Sequence, residues 1–273
     1  ILLVDDGSTD RETIDVCRRL ESLYPNVDYF SFGDGGSGSA SRPRNKGVEL
    51  ATTEFVTFLD PDNEISVQGY DRLLTRIENG NESVGKVDFV SGYQVKVAET
   101  VGYTGRHAGK RERQVTDSTK EFFRRGKFPV VSTQASVIRR SMLIQNGIKF
   151  VEGAAGQDTL YGWEVLHYAN NPVFVDDAYI IYYAERDDSV TNTVDQSYFG
   201  KSLVLERAQV SALKEMGIYE YYLENHFDSF MRNWYIPRLA RVANEQRGEA
   251  EESLRGIVKL YGQEPSDYMG EGH

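Results

Sequence analysis

Over its first hundred positions the chain gathers apolar residues into short unbroken runs. Over its last seventy it spaces them at helical intervals. Four such residues open it, Ile1 to Val4. A run without alternation predicts a strand buried on both faces, as in a covered parallel sheet. The turn DDGSTD follows, with Ser8 or Thr9 placed to cap a helix over 11–24. VDYFSF (27–32) reads as the next strand. Residues 33–45, GDGGSGSASRPRN, read as a loop. Lys46 to Thr52 then predicts a short helix and EFVTFL (54–59) a buried strand. Residues 66–79 predict a helix carrying Val67, Tyr70, Leu73, Leu74 and Ile77, and 87–97 another strand. Strands alternating with helices predict an α/β fold with a largely parallel sheet. From Ser202 to Gly262 strand signals vanish, aromatics are dense, and Gly217 and Gly248 read as breaks between helices. This predicts a C-terminal helical subdomain from about residue 200.

Composition narrows the function. Hydrophobic residues at 40% and charged residues at 27% of 273 support a sizeable core. A net charge of -11 argues against nonspecific nucleic-acid binding, which needs a basic surface. The single cysteine, Cys17, excludes an intramolecular disulfide, and its apolar neighbours suggest a core position. No run approaches the roughly 20 apolar residues that span a bilayer, and no signal peptide is visible. A soluble cytoplasmic protein is the expectation. Without an initiator methionine, and with a strand at residue 1, an upstream segment is expected to precede the chain. One stretch departs from the acidic balance: residues 105–127 carry eight Lys or Arg against three acids. It reads as a solvated loop, with an anionic acceptor as the alternative.

Chemistry concentrates at three places. Asp5 and Asp6 stand at the carboxyl end of the first strand, where open α/β sheets bind ligands. Asp60-Pro61-Asp62 follows the strand EFVTFL. Two carboxylates one residue apart can reach one Mg²⁺ or Mn²⁺, which takes a few carboxylates plus phosphate oxygens. Arg42-Pro43-Arg44-Asn45 enters a helix after a glycine-rich loop, where arginines suit a phosphate or a base edge and Asn45 could cap the helix.

Taken together, VDDGSTD and RPRNKGVELATTEFVTFLDPDNE resemble the nucleotide-sugar half of family 2 glycosyltransferases of the GT-A fold. GGSGSASRPRN is similar in spelling to enzymes that attach N-acetylglucosamine to wall teichoic acids. GIKFVEGAAGQDTLYGWEVLHYA and AYIIYYAERDDSVTN resemble the family's acceptor-side helix and closing strand and loop. The resemblance implies a GT-A catalytic domain over 1–199, with the nucleotide-sugar half over about 1–100 and the acceptor half over about 101–199. Residues 200–273 form the helical subdomain, and the family's first strand has no counterpart. It implies Asp158 as catalytic base and donor contacts at Asp5, Asp6, Arg42, Arg44, Asp60 and Gln157, with Asp6 on uracil. It implies Asp62, with Asp60, as ligands of Mn²⁺ or Mg²⁺. The family has an acidic residue where Gln157 stands.

The expected activity is inverting transfer of a hexose or N-acetylhexosamine from a UDP-sugar. The expected acceptor is a teichoic-acid-like surface polymer or a glycoprotein glycan. Peripheral membrane association and a homo-oligomer built through the C-terminal helices are further expectations. The alternative is a catalytically weak GT-A domain acting as a binding or assembly module through its tail. A nucleotidyltransferase would show a glycine- and lysine-rich phosphate loop after its first strand, and VDDGSTD is not one.

Overall fold

The computed structural model describes residues 1–66, 68–80, 85–98, 102–106, 113–114, 119–126, 128, 131–183 and 194–269. Strand β1 (Leu2–Asp5) pairs in parallel with β2 (Asp28–Ser31), and helix α1 (Arg11–Leu23) connects them. β1 is half-buried rather than enclosed, Ile1 is exposed, and α1 buries none of its residues, so Cys17 is only partly covered. The cap of α1 is Asp10, not Ser8 or Thr9: its carboxylate accepts from the Thr13 amide at 2.9 Å. Ser8 is instead turned back onto Asp5.

Helix α2 (Ser41–Leu50) starts five residues earlier than the apolar pattern predicts and takes in the whole Arg42–Asn45 segment. Pro43 is no obstacle, because the first four amides of a helix have no partner inside it. Asn45 is therefore inside the helix. It acts as a tie, accepting from the Phe150 amide at 2.9 Å and donating to the Phe150 carbonyl at 2.9 Å. The strand expected over 54–59 shrinks to β3 (Phe55–Val56), and β4 (Glu64–Ile65) and α3 (Gly69–Asn79) follow.

Next come β5 (Phe89–Ala98), β6 (Gly102–Arg106), β7 (Arg113–Gln114), α4 (Thr119–Gly126), β8 (Ser136–Arg139) and α5 (Arg140–Gln145). Helix α6 (Gln157–Tyr168) and β9 (Val173–Tyr183) complete the α/β part. The main sheet runs β3-β8-β5-β9-β4, with β6 on β5 and β7 on β9. Among the described residues only β5–β9 is parallel in it, so the sheet is mixed where strand–helix alternation suggested mostly parallel pairing. Much of the basic stretch and the loop after β9 lie outside the described residues.

The sheet's two faces follow the alternation of its strands. Val90, Val137, Val173 and Val175 face Leu73 and Ile77 of α3. Phe89, Ile138 and Phe174 face the larger core, shared with α4, α6 and the C-terminal helices. Helix α7 (Gln196–Glu215) opens that helical part and ends at Gly217, whose φ is +68°. The stretch 219–239 alternates α-helical turns α8 (Tyr219–Tyr222), α9 (Asp228–Phe230) and α10 (Ile236–Leu239) with π-helical ones, Leu223–Phe227 and Met231–Tyr235. Gly248 is not a break, since it lies in the first turn of α11 (Arg247–Leu260).

Candidate active site

Asp5 and Asp6 divide their work at the end of β1. The Asp5 carboxylate accepts four hydrogen bonds, from Ser8 N and Oγ on one oxygen and from Tyr29 Oη and Ser31 Oγ on the other. A carboxylate offers about four lone-pair positions, so these donors saturate it. Burial pushes the Asp5 pKa up, but the four donors outweigh it and hold the group below its ordinary value. Asp5 thus braces the turn.

Asp6 faces the glycine-rich loop. Its Oδ2 accepts from Ser37 N and Ser37 Oγ, both at 2.7 Å, and its Oδ1 accepts from Arg42 Nε at 2.7 Å. Arg42 also forks onto Asp34 and lies over the Phe32 ring, 4.0 Å from its centroid. Its hydrogen bonds hold Asp34 down at about 2. Gly7 allows this closure. With φ at +87°, a Cβ there would stand 2.8 Å from both Asp34 Oδ1 and the Gly36 amide.

The centre of the cleft is Arg44, projected from α2 and 8% exposed. Its Nη1 donates to Asp158 Oδ1 at 2.5 Å, and its Nη2 donates to both oxygens of Asp60 at 2.8 and 2.9 Å. Burial works against the guanidinium charge, but Asp158 and Asp60 outweigh it and raise the Arg44 pKa. Its Nε is buried without a hydrogen-bond partner among the described residues. Phe150 lies under the guanidinium, 5.2 Å away, and is itself stacked on Tyr161 at 3.8 Å.

Asp158 occupies the second position of α6, behind Gly156, which caps the helix with φ at +77°. Asp158 is thus inside the first turn of the helix and is not its cap. The carboxylate is hemmed in by protein but remains 45% exposed on its open side. That crowding, with the nearby Asp60 charge, pushes its pKa up, while Arg44 and the Thr133 hydroxyl at 3.4 Å pull it down. Gln157, beside it, is the first residue of α6.

Asp60 and Asp62 flank Pro61 in the turn after β3. Asp60 accepts from Gln134 Nε2 as well as from Arg44, so both its oxygens are engaged. Asp62 is partly buried. No group of three His, Cys, Asp or Glu able to hold a metal occurs among the described residues. A divalent ion that uses one or two carboxylates and takes its other ligands from phosphates and water fits this donor set. Sequence reasoning missed Gln134 and Thr133, single polar residues without spacing or motif to mark them.

A buried arginine thus joins a strand-end carboxylate to one at a helix N-terminus within an α/β body. The chain matches Glycosyl transferase family 2 over residues 1–147 and belongs to that family. It is 29% identical over 195 residues to the GalNAc(5)-diNAcBac-PP-undecaprenol beta-1,3-glucosyltransferase of Campylobacter jejuni, covering 70% of this chain and 57% of that one. It is 31% identical over 108 residues to the minor teichoic acid biosynthesis protein GgaB of Bacillus subtilis, covering 39% and 11%. In structure it is similar to S. aureus TarS 1–349 in complex with UDP-GlcNAc, at a TM-score of 0.70 and 19% identity. That match covers 95% of this chain and 72% of TarS 1–349, and it shows the fold. The chain spans little more than half the length of the curated relatives it matches, or less.

Proposed function

We propose that this glycosyltransferase moves a hexose or N-acetylhexosamine from a UDP-sugar to a hydroxyl, with inversion and with Mn²⁺ or Mg²⁺. Its acceptor on this reading is a bacterial surface polymer, teichoic-acid-like, or a glycoprotein glycan. The observation that carries the reading is the Asp60–Arg44–Asp158 bridge. It holds a donor-side and an acceptor-side carboxylate apart by the span of one guanidinium. Inversion needs one in-line displacement, with a base facing away from the leaving group. Asp158, open on one side and at a helix N-terminus whose dipole favours charge, takes the acceptor hydroxyl's proton as the oxygen attacks. Asp60 orients the donor's ribose or sugar, and Asp6 meets the uracil once Ser37 and Arg42 yield. Asp62, with Asp60, would hold the metal, which supplies neutralisation of the diphosphate charge. The UDP-GlcNAc bound by TarS 1–349, the teichoic acid biosynthesis for which GgaB is named and the undecaprenol-linked glycan for which the Campylobacter enzyme is named support the substrate classes.

Asp6, with both oxygens satisfied inside the chain, favours the second reading, a binding module of weak catalysis. Incubation with UDP-GlcNAc, UDP-GalNAc, UDP-glucose and UDP-galactose, with Mn²⁺ and an oligosaccharide acceptor panel, separates the two. UDP release that requires an acceptor supports transfer. Absence of both UDP binding and acceptor-dependent release supports the module.

A further inference from the structure

We propose that Gln134, a residue no motif marks, is a positioning residue that sets the donor-binding geometry of the 60–63 turn. It lies on the stretch leading into β8 and is 8% exposed. Its Oε1 accepts from the Asp60 amide at 3.0 Å and from Asn63 Nδ2 at 2.9 Å. Its Nε2 donates to Asp60 Oδ2 at 2.9 Å. One side chain thus ties the first residue of the turn to the last and fixes both the backbone and the carboxylate of Asp60. This requires a primary amide. A carboxylate would present only acceptors to Asp60, and an apolar side chain would offer neither function.

The next residue back, Thr133, donates to Asp158. Two successive side chains of one segment therefore reach the two carboxylates that Arg44 joins from α2. Tyr70 Oη anchors the segment through the Gln134 carbonyl at 3.4 Å. The arrangement is costly for a purely structural joint. Burying amide side chains carries a desolvation penalty, and Asn63 Oδ1 is buried without a hydrogen-bond partner among the described residues. An apolar residue at 134 would pack the same space with no such penalty. The polar tie is explained by the orientation it imposes on Asp60.

The inference rests on the UDP-sugar reading, and the test keeps the two apart. Full-chain wild type, Gln134→Met and Gln134→Glu are compared by thermal unfolding, UDP–Mn²⁺ calorimetry and transfer kinetics. The methionine variant keeps the length and loses the amide. It should still unfold cooperatively, a few degrees below wild type because the Asp60 amide and Asn63 Nδ2 lose their acceptor, with the donor KM and the UDP Kd raised on the order of tenfold and the acceptor KM unchanged. In Gln134→Glu a second carboxylate faces Asp60. Its donor KM should rise at least as far as in the methionine variant, with the acceptor KM unchanged, because two carboxylates offer each other no hydrogen-bond donor. A wild-type donor KM in the methionine variant overturns the proposal. So does a fall in melting temperature with equal losses for donor and acceptor, which would make Gln134 structural. Wild type that neither binds UDP nor releases it overturns the UDP-sugar reading, and this proposal with it.

Discussion

A carboxylate used as a base in a crowded cleft faces two opposed demands. Desolvation and the neighbouring charge of Asp60 drive Asp158 towards its protonated, useless form, and Arg44 opposes both. On the proposed reading, Arg44 thereby sets the pH at which Asp158 becomes available as a base. Arg44→Gln keeps a donor near Asp158 but removes the charge, so the Asp158 pKa should rise. The acidic limb of kcat/KM, below which the base is protonated, should move to higher pH. A pH profile superimposable on wild type would deny Arg44 that part. Asp158→Asn cannot accept a proton and should lower kcat on the order of 10² to 10⁴, with UDP affinity and melting temperature kept. Near wild-type turnover would send the search for the base elsewhere. Asp62→Asn should weaken UDP binding in the presence of Mn²⁺ and leave binding in EDTA unchanged, as calorimetry would read. Equal affinities in both conditions would remove Asp62 from the metal. Asp6, Asp60 and Asp158 stood out in the sequence as candidates because a motif spelled them. What ties them did not, because Arg44 meets a partner 114 positions away and Gln134 one 74 away.

At the scale of elements, the sequence was read well where an apolar face had one job. The strands β2 and β5 and the helices α1 and α3 emerged within a few residues of their predicted ends. Reading failed where polar residues carry the structure. The first turn of α2 is Ser-Arg-Pro-Arg, without an apolar face, because its side chains line the cleft. The start of α6 leaves no polar cap to read, because Gly156 caps it by backbone conformation rather than by a side chain. The packing of α6 against α7 carries a testable conflict. Burial first, and then the Glu215 carboxylate at the end of α7, push Glu164 from 4.5 up to about 7. Because the folded-state pKa is the higher, the folded chain binds the proton more tightly than the unfolded one. Stability present below about pH 4.5 should be lost as pH rises to about 7, by on the order of 2–3 kcal/mol for this one group. Glu164→Gln should therefore melt above wild type at pH 8, with the difference closing towards pH 4.5. A difference that does not change with pH would show that Glu164 does not titrate in this range.

At the scale of the whole molecule, the C-terminal helices form one side of the catalytic body. Phe199 of α7 and Tyr222 of α8 share a core with Phe128, Leu160 and Trp163. Tyr222 stands over Phe128 with ring centroids 5.0 Å apart and beside Trp163 at 6.0 Å. The dense aromatics of 219–235 were visible in the sequence, but their direction was not. The same stripe could have faced a partner, and spacing along a helix does not say which surface it meets. In the fold, Tyr222, Phe227 and Tyr235 turn inward while Trp234 stays 42% exposed. Inside that core, Glu206 of α7 accepts from Tyr235 Oη at 2.7 Å and from Tyr261 Oη at 2.5 Å, joining three helical segments through one buried group. Since α6 carries Asp158 on its first turn and buries Leu160, Tyr161 and Trp163 behind it, Asp158 depends on this packing for its position. Each large side chain stripped of cover forfeits about 1.5–3 kcal/mol, a large fraction of the 5–15 kcal/mol by which a domain is typically stable. A chain ending at Asp195 would uncover several at once. It should show no cooperative thermal transition by circular dichroism and should expose Trp163, shifting its emission to the red. A sharp melt with blue-shifted emission in that shortened chain would show that the α/β body folds alone, and that the helices serve another purpose.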